Sequence, residues 1–219
     1  MSVPSQATVD ALEREWWARL PRLFYAPAAV FAELRDESDE AGDARQEPLT
    51  ALVFLAGIAM FLGLFALEQP YAHLTDLSAL TLTVEMIFGG AAVALTNFWL
   101  GGAVVYLGMR GLGATTGYRL GRHLAGLATA PFLLVLVFVL PFRLGLYGMD
   151  LFRNGGSDTG VGRDVFVTID GIALAWTLVL VLIGIRQTQR WSWGRSAGAL
   201  GVGLLFAILI GTLAFAFNH

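Results

Sequence analysis

The chain has 219 residues, of which 56% are hydrophobic and 14% are charged, and its formal net charge is −3. Its mean hydropathy of +0.66 and its few charges exclude an ordinary soluble domain, in which charged residues make up roughly a quarter of the chain. The lack of cysteine excludes disulfides, thiolate metal sites and cysteine nucleophiles. The class that remains is a polytopic helical membrane protein.

The first 48 residues are polar, with ten acidic and five basic side chains, and no secretory signal precedes the first apolar run. We therefore expect a cytoplasmic N-terminal segment over residues 1–48 and a membrane domain over residues 49–219. The first span is then expected to act as its own insertion signal.

Residues 9–24 place Leu12, Trp16 and Leu20 at helical spacing on one face, which predicts an amphipathic helix. The rings of Trp16 and Trp17 favour the headgroup layer, so we interpret this helix as lying on the membrane surface with both tryptophans as interfacial anchors. The alternative is a helix packed against a partner protein or against loops of the same chain.

A second, short helix is predicted from Pro27 to Arg35, because proline is favoured in the first helical turn. The run that follows, residues 36–47, is acidic and lacks aromatic and β-branched side chains. This composition is typical of a solvated linker that need not be ordered.

Five apolar stretches are each long enough to cross a hydrocarbon core of roughly 30 Å. Pro131 and Pro141 fall within the third, where a proline removes a backbone hydrogen bond and predicts a kink. The glycine-rich connection over residues 150–167 is predicted to be a mobile loop.

The five apolar stretches and the amphipathic helix predict an all-α fold class, a membrane bundle of five transmembrane helices with an N-terminal amphipathic interfacial helix. The predicted spans are about 49–67, 86–109, 124–149, 168–185 and 196–217.

Arginines in the connections predict the orientation, because cytoplasmic loops are enriched in positive charge. One side receives eleven arginines: five in residues 1–48, three between the second and third spans, and three between the fourth and fifth. The other side receives three, namely Arg143, Arg153 and Arg163. This bias predicts a cytoplasmic N-terminus and a C-terminus outside.

Four polar side chains stand at or inside the predicted spans: Glu85, Asn97, Arg143 and Asp170. A charge in the membrane is costly unless it is paired or reaches water. Because the third span runs outward and the fourth returns, we predict that Arg143 pairs with Asp170, with Glu85 as the next candidate. The alternative is that each side chain reaches water at a span end. Asn97 is interpreted as a hydrogen bond between helices, and its alternative is a ligand of a transported solute.

Small residues recur every four positions in the fifth span, at Ala199, Gly203, Ala207 and Gly211. Such a ridge lets helix backbones approach closely. We interpret it as a contact with another helix of the same chain, and a homo-oligomer seam is the alternative.

The sequence contains no nucleophile elbow, metal-binding pair or phosphate loop. We therefore expect no catalytic residues, no metal, no cofactor and no nucleic-acid partner.

Several features occur in order along the chain. They are a short helix begun by a proline (Pro27, Phe31, Leu34), the pair Pro48 and Leu49 at the start of the first span, a glycine-rich turn with Tyr118 and Arg119 ahead of Pro131, and the connection GIRQTQRWSWGRS before a final small-residue span. Over residues 25–217 this pattern resembles the Yip1 family of five-span membrane proteins.

The resemblance implies an all-helical bundle with a cytoplasmic N-terminus and an outside C-terminus, in agreement with the arginine count. Eukaryotic relatives in that family work in vesicle trafficking with small Rab-type GTPases. The aspartate-leucine-tyrosine-glycine signature of that branch does not occur in this chain. All 14 basic residues are arginine, which favours a bacterial or archaeal member in the plasma membrane.

Two functions are compatible with these features, and an enzyme is a third alternative. The first is a non-enzymatic membrane protein that acts as an accessory or organising factor, with membrane lipids and an unidentified membrane or cytoplasmic protein as its partners. The second is a transporter or channel subunit for a small solute or an ion, in which the polar residues of the spans line a path.

Overall fold

The computed structural model describes residues 6–68, 79–152, 158 and 160–217. In these ranges every regular element is helical, and short π-helical or 3-10 segments join some of the α-helices. The α-helices are α1 Gln6–Arg19, α2 Pro27–Glu33, α3 Asp39–Glu68, α4 Ala79–Thr96, α5 Gly102–Gly111, α6 Tyr118–Ala128, α7 Ala130–Leu134, α8 Leu140–Tyr147, α9 Val161–Gln189 and α10 Trp193–Phe217.

Five helical stretches are long and apolar enough to cross a membrane, which confirms the predicted all-α class with five spans. The second stretch is composite, because the π-helical segment Asn97–Gly101 lies between α4 and α5. The third is also composite and runs through α6, α7, the π-helical segment Val135–Val139 and α8. The five stretches are Asp39–Leu64, Leu80–Gly111, Tyr118–Tyr147, Val161–Gln189 and Trp193–Leu213.

Both prolines of the third stretch stand where a helix begins again. Pro131 lies in the first turn of α7, and Pro141 lies in the first turn of α8, directly after a π-helical segment. A proline is tolerated in a first turn because its missing N–H would have no partner there. The backbone N–H of Phe132 donates to the carbonyl of Thr129 at 2.9 Å, which forms the first turn of α7.

The acidic run predicted as a solvated linker over residues 36–47 is helical from Asp39 onward, and this corrects the prediction. Ser38 accounts for the early start, because its hydroxyl accepts a hydrogen bond from the backbone N–H of Ala41 at 3.3 Å. Serine is a preferred N-cap residue. Asp39 and Glu40 in the first turn then face the positive end of the helix dipole.

The other spans also extend beyond the predicted apolar windows. Helix α9 begins at Val161 instead of 168, so the predicted loop over residues 150–167 is shorter, and a 3-10 turn, Gly148–Phe152, takes up part of it. Residues 153–157 and 159 of that loop lie outside the described residues. The extension has a simple cause, because a hydropathy window ends at the first charges, whereas a helix continues until its backbone hydrogen bonds are interrupted.

The chain divides into two compact units. The first unit contains the described residues up to Thr50, the range Asn97–Ala128, and the residues from Leu178 onward. The second unit contains the ranges Ala51–Thr96 and Thr129–Thr177.

In the first unit, glycines bring α5 and α10 into close contact. A Cβ atom on Gly108 would fall on the carbonyl oxygen of Ala199, and one on Gly203 would fall on the carbonyl oxygen of Val104. Only small residues permit such an approach of backbones. The beginning of the predicted ridge therefore packs against a helix of the same chain. Its end differs, because Ala207 is half-buried and Gly211 is exposed.

In the second unit, α3 packs against its neighbours through apolar side chains. One group of buried residues contains Ile58, Leu62, Leu151 and Phe152. A second group joins alanines of α3 to residues of the third and fourth spans, namely Ala56, Ala59, Phe132, Val135 and Ala173.

Candidate functional site

Arg143 of the second unit occupies a buried ion-pair network, called the Arg143 network below. Helix α8 carries Arg143 one turn after its start, and the residue is 3% exposed. Its Nη2 atom lies 2.6 Å from Oδ2 of Asp158, and the two side chains are 4% and 2% exposed. A pair that is so well removed from water is strongly coupled, because the local dielectric is low.

Asp170 of α9 is the second carboxylate of this network. Its Oδ2 lies 3.8 Å from Nη1 of Arg143, which is within ion-pair distance but beyond a direct hydrogen bond. One helical turn earlier, the ring of Phe166 lies 5.1 Å from the guanidinium carbon of Arg143. A cation over an aromatic face gains further electrostatic stabilisation.

The predicted pairing thus has a different first partner. The structure brings Arg143 and Asp170 together as expected, but the closer carboxylate is that of Asp158, which the sequence analysis did not single out. Glu85 lies on α4, and no ion pair joins it to Arg143 among the described residues. Its Oε2 atom is buried without a hydrogen-bond partner in the described part of the chain.

The Arg143 network holds two carboxylates and one guanidinium. In the parts of the chain that the structure describes, three of its buried atoms have no hydrogen-bond partner: Nε of Arg143, Oδ1 of Asp158 and Oδ2 of Asp170. Buried polar atoms usually find a partner. The network therefore has spare capacity for a water molecule, a proton or a small cation.

Asn97 belongs to the other unit and begins the π-helical segment Asn97–Gly101. A Cβ atom on Gly101 would lie 2.7 Å from Oδ1 of Asn97, so glycine leaves room for the amide along the wider π-helical turn. The hydroxyl of Tyr118 donates to the carbonyl of Trp99 within the same turn, at 2.6 Å. A π-helical turn leaves carbonyls without their usual partner, and Tyr118 supplies one.

The two predicted interfacial anchors have different surroundings. Trp16 is 4% exposed and Trp17 is 41% exposed. The ring of Trp16 lies 5.0 Å from the guanidinium carbon of Arg19 and 5.7 Å from that of Arg45. Trp16 therefore covers basic side chains of its own unit, and only Trp17 offers a large exposed surface.

A second polar group, which the sequence analysis missed, lies where α3 and α6 begin. Arg45 is 3% exposed, and its Nη2 atom donates to the carbonyl of Asp36 at 2.6 Å. Its Nε and Nη1 atoms are buried and have no hydrogen-bond partner among the described residues. His123 of α6 is also 3% exposed.

Arg119 joins the acidic run to the basic turn. Its Nη1 atom lies 2.8 Å from Oδ1 of Asp39, and its Nη2 atom donates to the carbonyl of Glu37. A Cβ atom on Gly42 would lie 3.0 Å from Nη1 of Arg119, so glycine at this position makes room for the guanidinium. The acidic run, which was predicted to be a solvated linker, is thus joined to the basic turn in one folded structure.

Arg122 points into a group of aromatic rings. Its guanidinium carbon lies 4.2 Å from the ring of Trp99, 5.2 Å from that of Tyr118 and 5.4 Å from that of Phe98. Arginine is well suited to such stacking because its planar guanidinium is weakly hydrated. Among the described residues, no group of three histidine or acidic side chains could hold a metal ion.

A family model described as the Yip1 domain matches residues 22–215 of the chain. The chain matches no curated protein and no solved structure.

Proposed function

The chain belongs to the Yip1 family, and from that membership we propose that it is a non-enzymatic integral membrane protein that acts as an accessory or organising factor through protein or lipid partners. The arginine bias favours a cytoplasmic N-terminus and an outside C-terminus. The arginine-only basic set favours the plasma membrane of a bacterium or an archaeon.

The folded N-terminal segment is the observation that carries this proposal. Leu23, Phe31 and Leu34 are completely buried. Nε of Arg35 donates to the carbonyl of Gln187, at the end of α9, at 2.8 Å. The segment is therefore fixed to a span and does not hang from it as a tail, so a partner bound to it is held at a defined place.

Three exposed side chains of this segment have the composition of a binding surface. Tyr25 is 74% exposed and Trp17 is 41% exposed, and Arg22, which lies between them in the sequence, is also exposed. Tyrosine, tryptophan and arginine are enriched in protein interfaces. These side chains therefore support the binding of a partner protein.

Photo-crosslinking in native membranes tests the proposal. A photoreactive phenylalanine analogue is placed at Tyr25, at Trp17 and, as a control, at the exposed Leu205 of α10. We expect protein adducts of one defined mass from the first two positions and none from Leu205. If all three positions give only lipid adducts, an action through a protein partner at Trp17 and Tyr25 is wrong.

The alternative function is a transporter or channel subunit for a small solute or an ion, and the Arg143 network favours it. Buried ionisable residues in a span are costly and often line ion pathways. Its test is a flux measurement on the purified protein in proteoliposomes, with Asp170→Asn as the variant. A cation or proton flux that requires Asp170 would support transport and would count against a purely organising role.

A further inference from the structure

Arg45 and Arg119 form a pair of cationic side chains, called the basic pocket below, at the beginnings of α3 and α6. Nη2 of Arg45 donates to the carbonyl of Asp36, and Nη2 of Arg119 donates to the carbonyl of the next residue, Glu37. The buried His123 of α6 lies beside them. Like charges that are held together in a poorly solvated place repel each other. An arrangement of this kind is stable when an anion lies among the cations.

The hydrogen-bonding capacity of Arg45 points to the same conclusion. The guanidinium has five N–H donors, and the carbonyl of Asp36 accepts one bond from Nη2. Nε and Nη1 lack acceptors among the described residues, and Trp16 covers one face of the group. A buried guanidinium with unused donors is costly, and a tetrahedral oxyanion would supply the missing acceptors.

Acidic groups lie near the basic pocket, but among the described residues none of their carboxylates forms an ion pair or a hydrogen bond with Arg45. Asp36 and Glu37 act electrostatically on Arg45, and Asp39 pairs with Arg119. The Asp39 side chain is 93% exposed, and an exposed ion pair contributes little. Another anion can therefore compete with Asp39 for Arg119, while the inner donors of Arg45 remain available to it.

The basic pocket also lies at a suitable depth for a lipid headgroup. Arg45 precedes Leu49, the first residue of the apolar run, by about one helical turn, or about 6 Å. The headgroup layer on each side of the hydrocarbon core is of similar thickness, roughly 5–8 Å. Arg119 likewise lies shortly before Leu124, where the apolar part of the third span begins.

We propose that the basic pocket binds a phosphate group, supplied either by an anionic phospholipid headgroup or by a soluble phosphate. Arg45 forms its buried base, and Arg119 forms its more exposed edge. The site deepens the proposed function and rests on it, because it names the lipid chemistry through which an organising protein would act. Arginine is the usual side chain for phosphate because its planar fork matches two oxygens.

The test measures the thermal unfolding midpoint of the full chain in dodecyl maltoside micelles, which carry no phosphate, since a ligand that binds the folded state raises that midpoint. Three preparations are compared at the same ionic strength: micelles alone, micelles with added phosphatidylglycerol, and micelles with inorganic phosphate. We expect the midpoint to rise by about 3 °C or more in at least one of the two phosphate-bearing preparations.

Arg45→Gln and Arg119→Gln are expected to lose most of this rise, which corresponds to about a tenfold weaker affinity. Arg22→Gln is the matched control, because it removes the same charge from an exposed position of the same unit, and it should keep the rise. If Arg45→Gln does not fold, Arg119→Gln decides the question, since the Arg119 side chain is 34% exposed and its loss should be tolerated.

The two phosphate sources give different results. A rise only with phosphatidylglycerol assigns the site to a lipid headgroup, a rise only with inorganic phosphate assigns it to a soluble ligand, and a rise in both assigns it to the phosphate group itself. No rise in either preparation, or an equal rise in Arg119→Gln and Arg22→Gln, overturns the site. Crosslinking at Tyr25 is read separately, so a missing protein partner and a missing phosphate site are distinguishable.

Discussion

Arg143 and Asp158 form a buried ion pair, with 2.6 Å between Nη2 and Oδ2 and almost no exposure of either side chain. Asp170 approaches the same guanidinium only to 3.8 Å and is 17% exposed. The two carboxylates therefore differ in how strongly they depend on Arg143. Asp158 follows the third span and Asp170 lies within the fourth, so one arginine joins a connecting segment to a transmembrane helix.

We expect Asp158→Asn to destabilise the protein by about 3–5 kcal/mol, because it leaves the Arg143 guanidinium buried with a neutral neighbour. Asp170→Asn should cost clearly less, since its carboxylate is more distant and better solvated. Unfolding of the purified variants in the same detergent, followed by far-UV circular dichroism, measures both. An equal loss in the two variants would mean that Arg143 is shared evenly.

The closest partner of Arg143, Asp158, could not be predicted from the sequence. Arg143 and Asp170 were expected together because two antiparallel spans carry them to one boundary. Asp158 lies outside the helical periodicity, and the path by which a connection folds back cannot be read from a period of 3.6 residues. The observed contact depends on tertiary packing around Leu151 and Phe152, which are buried in the core of that unit.

The basic pocket was missed for a different reason. Arg45 was counted as one charge of the N-terminal segment, and Arg119 as one charge of the connection between the second and third spans. The acidic run and the basic connection carry opposite charge, which indicates that they attract each other. Composition does not show which side chains meet. The early start of α3 could have been predicted from Ser38 and its acidic neighbours, because an N-cap residue before a helical run is a recognised start signal.

The small-residue ridge of α10 gives a matched pair of substitutions. A methyl group on Gly203 would collide with the backbone of Val104, whereas one on Gly211 has no neighbour within 4 Å. We expect Gly203→Ala to destabilise the chain by about 1–3 kcal/mol through overpacking. Gly211→Ala should be neutral or stabilise by up to about 1 kcal/mol, because alanine favours the helix.

Thermal unfolding of both variants checks this difference, and size-exclusion chromatography tests the oligomer alternative on the same samples. A homo-oligomer that forms through the exposed end of the ridge should dissociate in Gly211→Leu. An unchanged elution volume for Gly211→Leu would confine the ridge to packing within one chain.

Ser38 is expected to lower the pKa of the Asp36 carboxyl. Hydrogen bonds from the side chain and the backbone of Ser38 hold the pKa of Asp36 below its ordinary value of 3.8. Ser38→Ala removes the larger of these causes, so the pKa of Asp36 should rise toward that value. The carboxyl carbon shift of Asp36, followed by NMR through a pH titration and assigned with Asp36→Asn, measures the change.

The lowered pKa of Asp36 predicts that the stability of the protein depends slightly on pH in the acid range. Because the folded pKa of Asp36 is lowered, its stabilising contribution is present above the ordinary carboxyl pKa and is lost as the pH falls through the folded value. In Ser38→Ala this dependence should shrink. The variant should also lose about 1 kcal/mol at neutral pH, because the helix loses its N-cap. Equal acid sensitivity in the two proteins would contradict this account.

The proposed orientation is open to a direct test because the chain contains no cysteine, so single cysteines can be introduced without removing any. Tyr25 and Val161 are 74% and 79% exposed, and the arginine bias assigns them to opposite sides of the membrane. We expect an impermeant maleimide to label Val161→Cys in intact cells and Tyr25→Cys only after permeabilisation. The exposed Ser192 in the connection before α10 gives an independent control, since Ser192→Cys should behave like Tyr25→Cys. Labelling of Tyr25→Cys in intact cells, with Val161→Cys protected, would reverse the orientation, and labelling of both would show that the number of membrane crossings between them is even.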